Sequence, residues 1–317
     1  MKKLAGIIFL MVIAIKLMAQ EDPKLSQRMF LLPLYNPGAV GQSDKVCASA
    51  AFRNQWGGLP GAPVVSTFSA HMPFNLFGRS HGAGINFVND NIALSNQLFV
   101  NLAYSFKTDI GGGVLGTGIN AGMGNLAFDP EGLVGADVMD QQGDLLIPQV
   151  ADSRFGLDVG IGAYYSTERL YFGLSAMHLG GPKWNFSSED ETGDAAITMN
   201  STYYAIGGYT IQLPNPTLEL MPVFMVQTDL KSHHFYLNTN LRYNKRFWGG
   251  VSYSVGGAVS ILAGIELLNG IKVGYSYDIE MSRLLKYSSG SHEITVRYCF
   301  DLSLDKTPQK YESIRFL

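Results

Sequence analysis

The sequence predicts an all-β protein, a transmembrane antiparallel β-barrel of fourteen strands with both chain ends on the periplasmic side. Three observations lead there. Apolar and polar residues alternate with period two in the C-terminal half: Ile271, Val273, Tyr275, Tyr277 and Ile279 against Lys272, Gly274, Ser276, Asp278 and Glu280. The same pattern sets His292, Ile294, Val296, Tyr298 and Phe300 against Glu293, Thr295, Arg297 and Cys299. A period of two is the signature of a strand with unlike faces, and long strands with one apolar face and one charged face suit a barrel in lipid. Second, the chain opens with an export signal. Third, no later stretch reads as a spanning helix, so only a closed sheet would satisfy every backbone group in lipid.

The elements follow in chain order. Met1-Lys2-Lys3 is a basic start, Leu4 to Ile15 an apolar run, and Ala19 a small residue at a cleavage position, so 1–19 reads as a secretory signal peptide. A retained anchor is disfavoured, because the apolar run falls short of the roughly 20 residues that a spanning helix needs. Residues 20–45 are expected to form a periplasmic segment ahead of the barrel, which occupies 46–301. Strands are expected near 46–54, 64–73, 81–90, 94–107, 113–125, 154–165, 169–178, 201–212, 217–228, 233–244, 246–256, 258–268, 270–281 and 291–301. Val251 to Leu268 comes nearest to a long apolar segment, but Gly256-Gly257 and Glu266 interrupt it, and it reads as a hairpin. Long connections at 55–63, 126–153, 179–200 and 282–290 alternate with short turns such as Ser166-Thr167-Glu168 and Asn244-Lys245, as extracellular loops and periplasmic turns do. The tail at 302–317 is expected to be periplasmic and too short for a domain; docking on a partner, folding back into the barrel mouth and disorder are all open to it.

Composition narrows the function. Charged residues are 15% of the chain, against about 25% in ordinary soluble domains, and the net charge of −3 argues against nucleic acid as a partner. The two longest loops are acidic, with Asp129, Glu131, Asp137, Asp140, Asp144 and Asp152 in one and Glu189, Asp190, Glu191 and Asp194 in the other. Neither follows the spaced pattern of a calcium loop, so a solvated surface is the better reading, and no metal or cofactor is expected. His233-His234 are consecutive strand residues that point apart, and His71, His178 and His292 have no nucleophile motif beside them, so catalysis is not expected. Gly113, Gly116 and Gly118 imitate a phosphate loop without the helix one requires; glycines on a curved strand account for them better.

Cys47 opens the first strand and Cys299 ends the last, and closure would make these strands neighbours with both thiols facing the lumen. They are candidates for a disulfide, with two buried thiols as the alternative, since the closing register is not readable. Lumen charges include Arg53, Arg242, Lys272, Asp278, Glu280, Glu293 and Arg297. Either they select a solute or they neutralise one another, with Asp278 and Arg297 on adjacent strands as the expected pair.

Several local motifs together carry a family resemblance. Tyr35-Asn36-Pro37-Gly38-Ala39-Val40-Gly41, then Phe52 to Pro63 with Arg53, Gln55, Trp56, Gly61 and Pro63, then Tyr275 to Asp278 and Gly290-Ser291-His292-Glu293, resemble the PorP/SprF membrane proteins of the type IX secretion system of Bacteroidota. The similarity runs from about residue 25 to the end, with Gly38 where alanine is usual after Asn-Pro. The resemblance implies a non-catalytic outer-membrane component of protein secretion. Its expected partners are lipid, type IX components such as periplasmic motor and ring or peptidoglycan-linked proteins, and a large secreted adhesin or another sorting-domain protein. A diffusion channel or hydrophobic-solute transporter is the rival. Asn36-Pro37 is expected to set the chain at the barrel entrance, and Trp56, Pro60 and Pro63 to make a rigid apolar platform in the first long loop, with Trp56 divided between partner contact and packing.

Overall fold

In a computed structural model, the structure describes residues 22–128, 152–186 and 195–301. Seventeen strands are present among them: β1 Val46–Asn54, β2 Val64–Leu76, β3 Arg79–Ile92, β4 Ser95–Ile110, β5 Gly113–Phe128, β6 Asp152–Ser166, β7 Leu170–Met177, β8 Lys183–Phe186, β9 Ala195–Thr198, β10 Thr202–Tyr209, β11 Ile211–Gln212, β12 Leu218–Thr228, β13 His233–Tyr243, β14 Phe247–Ser254, β15 Ala258–Glu266, β16 Lys272–Glu280 and β17 Ser291–Phe300. β8 and β9 form a separate hairpin. β11 continues β10 in unchanged register against β12, Gly208↔Val223 being followed by Ile211↔Leu220, so the pair is one wall strand. The remaining wall is a closed antiparallel barrel of fourteen strands: each pairs with its sequence neighbour, β10 pairs with β12, and β17 returns to β1.

Alternation places the side chains as the pattern requires. Phe52, Leu102, Ile119, Leu157, Leu174, Leu237, Val251, Ile261 and Ile294 are exposed around the outside, forming the apolar surface that lipid covers. Their strand neighbours Cys47, Ser49, Ala51 and Arg53, or Ser276, Asp278 and Glu280, are buried inside. One rim carries two- to five-residue turns, such as Phe77-Gly78 and Gly111-Gly112. The opposite rim carries the connections at 55–63 and 281–290 and the described parts of the one between β7 and β10.

Residues 20–45 were expected to form a periplasmic segment before the barrel; the described part, from 22, packs inside it. Starting near the long-loop rim, the chain passes down the lumen through short helical turns at Arg28–Phe30, Leu32–Tyr35 and Pro37–Ala39, and at the short-turn rim it reverses into β1. The reason is apolar burial. Leu25, Leu31 and Tyr35 pack against inward-facing Ala51, Val65, Met177, Tyr204, Ile206, Met225 and Tyr236, so the hydrophobic core of this protein lies in its lumen. The β8–β9 hairpin closes over part of the long-loop rim, with Trp184 fully buried against Phe99, Leu126 and Met199 and its indole N–H donating to the Gly124 carbonyl at 3.1 Å. The signal peptide, the tail from 302 and most of the acidic-loop carboxylates fall outside the described residues.

Candidate functional site

The N-terminal segment fills the lumen through fitted contacts. The Asn36-Pro37-Gly38 turn sits against β5, β6 and β7. Asn36 Nδ2 donates to the carbonyls of Ala163 at 3.0 Å and Leu174 at 3.1 Å, while Asn36 Oδ1 accepts from Gly38 N at 2.8 Å and so closes its own turn. These motif residues are deep in the lumen rather than at an entrance.

The wall is hollowed to receive this backbone. A Cβ on Gly116 would stand 2.2 Å from the Gly38 carbonyl oxygen, on Gly118 2.4 Å from Pro37, on Gly162 2.2 Å from Asn36 Oδ1, and on Gly82 2.1 Å from the Val40 carbonyl oxygen. Contacts so short do not occur, so only glycine admits the segment at these places. Gly116 and Gly118, read from sequence as relief for curvature, are therefore a seat. Polar groups complete the fit: Asn86 Nδ2, Ser175 Oγ and Ser105 Oγ donate to the carbonyls of Pro33, Tyr35 and Val40 at 2.9, 2.6 and 2.7 Å. Gly41 N donates to His71 Nδ1 at 3.1 Å.

A charged cluster holds the other end. Arg53 Nη1 lies 2.6 Å from Asp278 Oδ2 and 3.3 Å from Glu293 Oε2, and all three side chains are buried. Glu293 also accepts the backbone N–H of Ser26 at 2.6 Å and of Gln27 at 2.8 Å, and Ser26 Oγ donates to Asp278 at 2.7 Å. Buried charges persist when paired and hydrogen-bonded, and here the pairing encloses the N-terminal segment. The expected Asp278–Arg297 pair is not formed. On neighbouring antiparallel strands Asp278 stands opposite Ser291, near the long-loop rim, while Arg297 stands opposite Lys272 near the short-turn rim.

In the first long loop Trp56 packs inward, while Gly58, Pro60 and Gly61 are exposed. Trp56, at φ 51°, is half-buried; its N–H donates to Ser291 Oγ at 3.1 Å and its indole to Glu280 Oε1 at 2.9 Å. Gln55 N donates to the Pro63 carbonyl at 2.9 Å, closing the loop base, and Gly61, at φ +71°, accepts from Ala93 N. His292 faces outward, with Nδ1 2.7 Å from the Tyr275 hydroxyl, and takes no part in the lumen cluster. Cys47 and Cys299 face each other in register with Cα atoms 4.1 Å apart and are disulfide-bonded, joining the first wall strand to the last. Among the described residues no cluster of three or more metal-binding side chains is found.

The assembly defines a membrane barrel occupied by its own N-terminal segment. The chain belongs to the family described as type IX secretion system membrane protein PorP/SprF, whose model matches residues 17–298. It is an outer-membrane protein, as membership of that family and the apolar exterior of a closed barrel require. No curated protein matches the chain in sequence. Among solved structures it is similar to the CymD monoaromatic hydrocarbon channel (TM-score 0.49, 11% identity, covering 88% of this chain and 93% of that one). It is also similar to the Ralstonia pickettii toluene transporter TbuX (0.47, 11%, 84% and 92%) and to the Acinetobacter baumannii outer membrane protein Omp33 (0.47, 6%, 82% and 100%). Likenesses this distant carry no argument about function.

The N-terminal segment is the feature that sequence reasoning missed. A signal for it was available: Met29-Phe30-Leu31-Leu32-Pro33-Leu34-Tyr35 is too apolar for a segment in water.

Proposed function

We propose that this chain is a non-catalytic component of type IX protein secretion, one that supports export or surface anchoring of sorting-domain proteins such as adhesins and passes no solute of its own. The observation that carries the reading is the lumen: residues 22–42 cross it on a glycine seat, with side-chain and backbone hydrogen bonds along their length. A barrel built for diffusion would keep a continuous water path lined by its charges, whereas here Arg53, Asp278 and Glu293 are spent on holding the segment. Family membership supports type IX components as partners, and the short turns opposite longer loops favour contact with them at the short-turn rim from the periplasm.

The test is deletion of the gene in its host, with surface and culture-fluid proteomes compared with wild type. Loss of one or a few sorting-domain proteins marks a dedicated helper, and loss of all of them a core component. Unchanged secretion together with altered small-solute uptake overturns the reading in favour of a channel.

A further inference from the structure

Between the N-terminal segment and the wall, toward the short-turn rim, lies a chamber of about 170 Å³ that the lumen contacts above do not use. One side is apolar, formed by Phe30 of the segment, with the Trp248 ring tilted against it at 5.3 Å between centroids, and by Met221 and Val223. The other side is cationic. Arg242 is paired with Glu219 and Lys272 with Glu266, at 3.1 Å for the latter, but Arg297 has no carboxylate partner among the described residues, and its recorded contact is Cys47 Sγ at 3.8 Å. Exposed Lys245 stands at the lip.

Trp248, Tyr171 and Asn240 line the chamber with their bodies, while the indole nitrogen, the hydroxyl and Oδ1 pack against the wall over Gly264, Gly208 and Gly250. The surplus guanidinium of Arg297 beside an apolar face calls for an anion that carries an apolar group.

We propose that this chamber binds a small organic carboxylate bearing one aromatic or branched apolar group, with the apolar group against Phe30 and Trp248 and the carboxylate at Arg297. Both a free N-acyl amino acid and the C-terminal residue of a peptide present that chemistry. The chamber exists only while the segment is seated, because Met29 and Phe30 form part of its wall.

The experiment titrates the purified full chain in detergent with N-acetylphenylalanine, followed by calorimetry and tryptophan fluorescence. Saturable binding is expected, weakened about tenfold or more in Arg297→Met, since a charged partner is lost, and unchanged in the exposed control Arg246→Met. The neutral N-acetylphenylalaninamide keeps ring and N–H without the charge and is expected to bind the wild type about tenfold or more weakly, which tests the proposal even if Arg297→Met fails to fold. Acetyl-triglycyl-phenylalanine separates the sources: affinity equal to that of the free acid points to a peptide terminus, and weaker binding to a free acid. No saturable binding to wild type, or equal affinity for acid and amide, means a merely hydrated chamber and overturns the proposal.

Discussion

Gly118→Ala tests the glycine seat by adding one methyl group. Its Cβ would stand 2.4 Å from Pro37 C and O and 2.7 Å from Gly38 N, all backbone atoms that cannot rotate away. Recovering ordinary contact at about 3.4 Å obliges the segment to retreat by roughly 1 Å. That retreat stretches the Asn36 hydrogen bonds to Ala163 and Leu174, now 3.0 and 3.1 Å, past bonding distance, and disturbs the Val40 end through the same backbone. Two or three hydrogen bonds at about 1 kcal/mol each amount to about 2–3 kcal/mol, or roughly 30- to 150-fold in the equilibrium between seated and released segment. Hydrogen exchange of residues 25–41, read by mass spectrometry on detergent-solubilised protein, should accelerate by that factor while exchange in the wall strands stays constant. Gly249→Ala is the control, since its added Cβ would meet nothing nearer than the Leu262 carbonyl oxygen at 3.6 Å. Equal protection of the segment in Gly118→Ala and wild type would refute the reasoning.

Three further outcomes follow from the same geometry. Arg53→Met leaves Asp278 and Glu293 buried without their cation and should lower barrel stability by about 3–5 kcal/mol, seen as an earlier heat-induced band shift on gels; Arg53→Met with Asp278→Asn and Glu293→Gln should recover much of it, and no recovery contradicts the pairing. On denaturing gels without reductant the chain should migrate faster than with it, because the Cys47–Cys299 bond closes a loop spanning 252 residues, and Cys47→Ser with Cys299→Ser should abolish the difference; identical migration refutes the bond. Trp56→Phe removes a hydrogen bond to a carboxylate, worth about 1.5–3 kcal/mol, and should raise exchange in residues 55–63, whereas unchanged exchange there would favour partner contact over packing as the role of Trp56.

The wall was legible because alternation reports which face a residue takes, and every strand expected from it is present within a few residues. Alternation does not report depth. Asp278 and Arg297 share the lumen face, yet they sit at opposite ends of their strands, and their pairing was misjudged for that reason. Register at the seam is set by a pairing between chain ends, so Cys47 and Cys299 could be named as candidates but not joined. The segment inside the lumen escaped because its cause is distributed: seven apolar-rich residues at 29–35 and glycines at 82, 116, 118 and 162 become one site only when the barrel closes. Asn36 was singled out by motif, and its partners, the carbonyls of Ala163 and Leu174, are backbone atoms that no sequence pattern marks.

The central claim is that the lumen is filled by the chain's own N-terminal segment and does not conduct. Planar-bilayer recording of the purified wild-type chain tests it most directly. Absence of steady current after insertion, verified by recovering folded protein from the membrane, is the predicted result; a stable ohmic conductance from the intact chain would contradict it.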